Sequence, residues 1–136
     1  MAGVFEGGCL CGAVRYRASG TIIRAGHCHC RMCQKASGAP IVSWAVVPRQ
    51  SFAFTRGEPM EYRSSEKASR LFCGRCGSQL AFRDEDGTAE IDINLATFDH
   101  PELVTPTYHI FTSTQQPWLH VTDDLQRFRE NRTGPD

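Results

Sequence analysis

What this 136-residue chain lacks narrows its class before any motif is considered. No apolar run approaches the ~20 residues that a membrane-spanning helix needs. Neither sign of charge is in excess, with Lys+Arg 15 against Asp+Glu 15, so no nucleic-acid or membrane partner is expected. The opening residues Met1-Ala2-Gly3-Val4-Phe5-Glu6-Gly7-Gly8 lack the basic stretch followed by an apolar run that marks a secretory signal. A cytoplasmic protein is therefore expected. Repeats, linkers and low-complexity stretches are missing too, which predicts one domain over residues 1–136. Its last part, 129–136, has little apolar surface to bury and is expected to be flexible.

Long helical periodicity is also scarce. Turn signals recur instead, at Gly7-Gly8, Ser19-Gly20, Gly38-Ala39-Pro40, Arg56-Gly57-Glu58-Pro59, Asp84-Glu85-Asp86-Gly87 and His100-Pro101. Between them lie short segments rich in β-branched and aromatic residues, which predicts an all-β fold. Strands are expected at Ala13–Arg17, Ile41–Val47, Phe52–Arg56, Glu61–Ser64, Arg70–Cys73, Gln79–Arg83 and Ala89–Asn94, with another around Tyr108–Phe111. The clearest is Ala89–Asn94, where Ile91, Ile93 and then Leu95 alternate with polar residues. Short helical turns are expected at Cys30–Ala36, stopped near Ser37-Gly38, at Asp99–Leu103, and at Asp123–Phe128 with Asp as its cap.

What the chain has in quantity is cysteine. There are seven, grouped as Cys9-x-Cys11, Cys28-x-Cys30-x-x-Cys33 and Cys73-x-x-Cys76. A disulfide framework favours an even count and an oxidising compartment, and cysteines that merely fill a core have no reason to cluster. Metal ligation explains the clustering. In an extended segment Cys9 and Cys11 would face the same way, and Gly74 and Gly77 allow Cys73 and Cys76 to converge through a tight turn. Two such pairs sum to a closed tetrahedral shell of four thiolates, the pattern of a structural Zn2+. Cys28, Cys30 and Cys33 remain, three ligands of the kind that leave a catalytic zinc one free position. The alternative is a second closed site completed by a histidine. His27 and His29 are disfavoured by alternation, whereas His100, His109 and His120 are distant in sequence.

Arg15, Arg24, Arg31, Lys35, Arg70 and Arg75 lie near the cysteines in sequence and could offset thiolate charge. Taken singly, each reads more simply as a solvated surface cation. Trp44, His109 and Trp118 could line a pocket over the open site, with His109 moving a proton. The plainer reading of both tryptophans is as core residues. Ser37 reads as a cap for the turn at Gly38.

The order Gly8-Cys9-Leu10-Cys11-Gly12, His27-Cys28-His29-Cys30-Arg31-Met32-Cys33, Gly38-Ala39-Pro40 and Phe72-Cys73-Gly74-Arg75-Cys76-Gly77-Ser78 resembles the glutathione-dependent formaldehyde-activating enzyme family, whose domain is also found in centromere protein V. Tyr108–Ser113 and Pro117-Trp118 are similar to its C-terminal block, so the likeness spans roughly residues 5–128. The resemblance implies a tent-like all-β fold organised around a structural zinc on Cys9, Cys11, Cys73 and Cys76. It also implies a catalytic zinc on Cys28, Cys30 and Cys33. The implied activity is a carbon–sulfur lyase resembling S-(hydroxymethyl)glutathione synthase, joining glutathione and formaldehyde reversibly. The alternatives are an enzyme of the same family for another small thiol, or a non-catalytic zinc-binding interaction domain.

Overall fold

A computed structural model describes residues 2–85 and 89–134. The chain is mainly β, as expected. The strands are β1 (Ala2–Gly8), β2 (Arg15–Thr21), β3 (Arg24–Cys28), β4 (Val42–Pro48), β5 (Phe52–Arg56), β6 (Met60–Ser65), β7 (Ala68–Phe72), β8 (Gln79–Asp84), β9 (Glu90–Asn94), β10 (Tyr108–Ile110) and β11 (Gln126–Arg127). One α-helix, α1 (Arg31–Ser37), and short 3-10 turns complete the described residues. No helix among them is long and apolar enough to cross a membrane.

A three-stranded sheet, β1-β2-β5, packs on an eight-stranded sheet ordered β11-β10-β3-β4-β9-β8-β7-β6. The larger sheet is antiparallel from β3 through to β6, while β10 runs parallel to both β3 and β11. The main core includes Phe5, Tyr16 and Ala18 of the small sheet and Ala45, Val47, Leu71, Ile91 and Ile93 of the large one. Tyr16 is sealed inside, its hydroxyl 2.6 Å from Thr97 Oγ1. The expected alternation along β9 is realised, with Ile91, Ile93 and the following Leu95 buried and Glu90, Asp92 and Asn94 only partly so.

β4 reads as a near-continuous apolar run because it is covered on both faces. Ala45 and Val47 enter the main core, while Val42 and Trp44 point to a second, smaller cluster with Cys28 and Cys33. The large sheet thus has a core face and a cysteine face. This division positions the site.

Three expectations need correction. Asp123–Phe128 forms no helix: the Asp123 carboxylate accepts a hydrogen bond from the Leu125 amide and another from His109, and the chain extends into β11. Trp118 is 65% exposed and is no core residue. Strand β1 was not anticipated, and the extended segment implied by alternation through His27–Cys30 is β3, which begins at Arg24 and ends at Cys28, leaving Cys30 to cap α1. Beyond β11, the Phe111 and Ser113 amides donate to the carbonyls of Glu130 and Arg129, and Arg132 stacks over Tyr108. Pro135 and Asp136 of the tail, and Asp86 and Gly87 of one expected turn, lie outside the described residues.

Candidate metal centres

The first cysteine cluster lies at the end of the small sheet. Cys9 and Cys11 are not in a strand, contrary to the extended segment expected. β1 ends at Gly8, and a turn follows in which the Cys9 amide donates to Val14 O and Gly12 takes φ 81°. The turn achieves what the alternation argument required, two sulfurs on one side, 3.7 Å apart. Opposite, Cys73 to Cys76 form the predicted knuckle. The Gly77 amide donates to Cys73 O at 2.8 Å with Gly77 at φ 79°, the left-handed region that favours glycine. The amides of Arg75 and Cys76 both lie 3.4 Å from Cys73 Sγ, donors suited to a thiolate. Ser78 Oγ accepts from the Leu10 amide and lies 3.2 Å from Cys76 Sγ, tying the halves together.

Ligand atoms of Cys9, Cys11, Cys73 and Cys76 all lie within 4.8 Å of one another. Cys11 and Cys73 sulfurs are 3.8 Å apart. A tetrahedral ion with bonds of ~2.3 Å to sulfur separates its ligands by roughly 3.8 Å, whereas a disulfide needs ~2.05 Å. All seven cysteines are free, so the spacing suits an ion between the sulfurs. Protonation follows the surroundings. Cys76 is lowered to about 5, first by its bonds to Ser78. Burial opposes ionisation of Cys9, yet the Val14 amide and the Cys73 and Cys11 sulfurs lower it against an opposing contact with Cys76.

The second cluster sits on the cysteine face of the large sheet. Cys28 ends β3, Cys30 caps α1 by accepting from the Cys33 amide, and Cys33 occupies the first turn of that helix. Gly38, at φ 73°, and Ser37, whose hydroxyl donates to Cys33 O and accepts from the Ala39 amide, stop the helix where expected. Gln34 fastens α1 by donating to the carbonyls of His29 and Thr114. The three ligand atoms lie within 4.8 Å of one another, with no His, Asp or Glu completing the group among the described residues. Cys28 and Cys33 are buried and Cys30 is partly open. Bonds from the Cys28 and Cys33 thiols push Cys30 down, while the contacts of Cys28 with Cys30 and Cys33, together with burial, push Cys28 up.

Apolar walls surround this cluster: Val42 and Trp44, then Phe82, Ile110 and Phe111. Phe111 adopts φ 56°, a conformation strained for an aromatic residue and held by backbone bonds to Glu130 and Thr114. Arg70, on β7, is 7% exposed and donates from Nη2 to Cys33 Sγ at 3.7 Å. Its guanidinium lies 5.2 Å from the Phe82 ring centre. Arg70 is therefore not the solvated cation that its residue type suggested. Arg15 pairs with Asp99 and Arg24 with Glu90, while Arg31 bonds to Gln34.

His109 is placed elsewhere. On β10 it registers with His27, and Ile110 with Cys28, so alternation turns Ile110 toward the cysteines and His109 to the other face. There the fully buried His109 bonds to Asp123 Oδ2 at 2.9 Å and to His29 Nε2 at 2.8 Å. Burial lowers His29 to about 4 and keeps it uncharged. The His29–His109–Asp123 chain gave no sequence signal, because its members are 80 and 14 residues apart.

The family model for the glutathione-dependent formaldehyde-activating enzyme matches residues 4–114, which contain both cysteine clusters. The chain belongs to this family. A relative from Schizosaccharomyces pombe, named an uncharacterized lyase, is 30% identical over 101 residues, covering 74% of this chain and 73% of that one. A crystal structure of a Rhodobacter sphaeroides protein shares the fold, with a TM-score of 0.59 and 24% identity over 74% of this chain and 91% of that one. Family and relative together support a lyase-like function. The two clusters, of four and three cysteines, are this family member's candidate metal centres.

Proposed function

We infer that the protein is a zinc-dependent carbon–sulfur lyase acting on a thiol–aldehyde adduct, similar in reaction to S-(hydroxymethyl)glutathione synthase. Two Zn2+ per chain are proposed. Cys9, Cys11, Cys73 and Cys76 hold the structural ion, and Cys28, Cys30 and Cys33 the catalytic one. The observation that carries this reading is the second cluster: three sulfurs in ligand spacing, no fourth protein donor among the described residues, and aromatic walls. Thiolates suit Zn2+ as soft ligands.

When bound, Zn2+ with three thiolates supplies a position that stabilises a small thiol as thiolate at neutral pH. The residues of the chain prepare that position. Cys30 Sγ accepts from the Cys33 amide, which helps it remain ionised. Trp44, Phe82, Ile110 and Phe111 exclude water and offer apolar surface to a small aldehyde. Gln34 and Thr114 hold the Cys28–Cys33 segment by bonding to the His29 carbonyl. His109, facing away, contributes through the same segment by bonding His29 and is not assigned a proton transfer. Three anionic ligands reduce Lewis acidity, so thiol capture and orientation outweigh carbonyl activation.

The test is turnover of the purified, zinc-loaded protein with a panel of thiols and aldehydes, the adduct being read by NMR exchange. Catalysed exchange between formaldehyde and glutathione, or another small thiol, is expected. Exchange no faster than the uncatalysed rate across the panel contradicts the reading.

A further inference from the structure

The Arg70 guanidinium is nine-tenths buried, yet no carboxylate pairs with it among the described residues. Burying a charge without compensation is strongly unfavourable. One part of the compensation is visible. Nη2 faces Cys33 Sγ, and the Phe82 ring lies beneath the guanidinium plane. Nη1, by contrast, is buried without any hydrogen-bond partner.

The location of that unmet donor is specific. Arg70 lies opposite Phe82 on β8 and Tyr62 on β6, all three on the cysteine face. The guanidinium is a rigid planar fork, so anchoring Nη2 on Cys33 fixes Nη1 close to the same cluster. A donor held there is suited to an oxygen borne close to the atom that shares the cluster with Cys33. Formal charge agrees: three thiolates and a dication leave one negative charge, which Arg70 cancels. A thiol entering as thiolate then gains from a cation already in place.

We propose that Arg70 is a ligand-contacting residue of the three-cysteine site, its Nη1 donating to an oxygen carried near the sulfur of the captured thiol. The inference rests on the thiol-capture reading above. It adds a selectivity: thiols with a nearby oxygen acceptor bind more tightly than those without one. That oxygen is either a carboxylate of the thiol or the oxygen derived from the aldehyde. Both present the same acceptor to the same fork.

The test uses the full chain loaded with Co2+, whose sulfur charge-transfer bands report ligation independently of turnover. Affinities are measured for mercaptoacetate, 2-mercaptoethanol and ethanethiol, which carry a carboxylate, a hydroxyl and no oxygen. In the wild type, mercaptoacetate should bind about ten- to a hundredfold more tightly than ethanethiol, as a charge-assisted hydrogen bond implies. An advantage confined to mercaptoacetate assigns the donor to a carboxylate. One shared by 2-mercaptoethanol assigns it to the aldehyde-derived oxygen. In Arg70→Gln the preference should collapse to within about threefold.

A preference that survives in Arg70→Gln overturns the proposal, as does equal binding of all three thiols by the wild type. If Arg70→Gln loses the second metal, Arg70→Lys carries the test, because it keeps the charge without the fork. Metal retained with a clearly reduced preference supports the proposal. Metal retained with an unchanged preference, or lost again, overturns it, Arg70 then serving the cysteines alone. A wild type whose spectrum no thiol perturbs defeats the thiol-capture reading itself, and the inference with it.

Discussion

Asp92→Asn should stabilise the protein near neutral pH, by an amount that the structure sets. Asp92 lies in the middle of β9 between Val46 of β4 and Phe82 of β8. Burial raises its pKa from 3.8 to about 6; Arg24 opposes the shift, and Glu90 and Asp84 reinforce it. The sign follows from the charged form being the penalised one. A folded-state pKa above the unfolded value means the contribution is intact below about pH 4 and is lost as pH rises through about 6. Two units or so correspond to about 3 kcal/mol. Linkage gives Asp92→Asn an advantage of about 3 kcal/mol near pH 7.5, shrinking to roughly half of that near pH 5.

Denaturant titrations of both proteins at matched pH and saturating zinc measure the gap, because acid effects on the metal sites are common to both and cancel. An Asn variant less stable than the wild type near pH 7.5, or a gap that does not narrow toward pH 5, refutes the reasoning.

The two cysteine clusters should respond differently to substitution. Cys30→Ser keeps an oxygen that can cap α1, so fold and melting temperature should survive while the second metal and activity are lost. Cys76→Ser should lower the melting temperature steeply, because metal binding at a closed site is coupled to folding; metal analysis with calorimetry separates the two, and equal unfolding of both variants makes both sites structural. His109→Ala strands the His29 and Asp123 partners and opens a cavity, at a cost of about 2–4 kcal/mol by denaturation. Metal content should stay unchanged in that variant, and activity lost with stability and metal intact would return His109 to the chemistry.

Some of this was legible in the chain because local chemistry and final environment agree. Ile91 and Ile93 alternate with polar residues and are buried as the pattern requires. The glycine-flanked Cys73–Cys76 pair can only turn, and Ser37-Gly38 stops the helix as its residues dictate. The grouping of seven cysteines into four and three is also visible in spacing and is matched by where the sulfurs meet.

Other parts are invisible because they depend on distant partners. β3, with the sequence Arg-Ala-Gly-His-Cys, has no strand signature of its own and is ordered by β4 and β10 on either side. Asp123 looks like a helix cap, yet His109 and the Leu125 amide occupy its carboxylate and the chain extends. Arg70 carries the least typical environment. An arginine in a short strand ordinarily faces water, and only the assembled sheet places this one against Cys33 and Phe82.

Zinc K-edge absorption of the fully loaded protein, with and without a bound thiol, tests the central claim most directly. Two ions per chain are expected, one with four sulfurs throughout and one gaining a fourth sulfur only when the thiol is added. A single ion, or a second ion already saturated by the protein in the absence of thiol, would contradict the account.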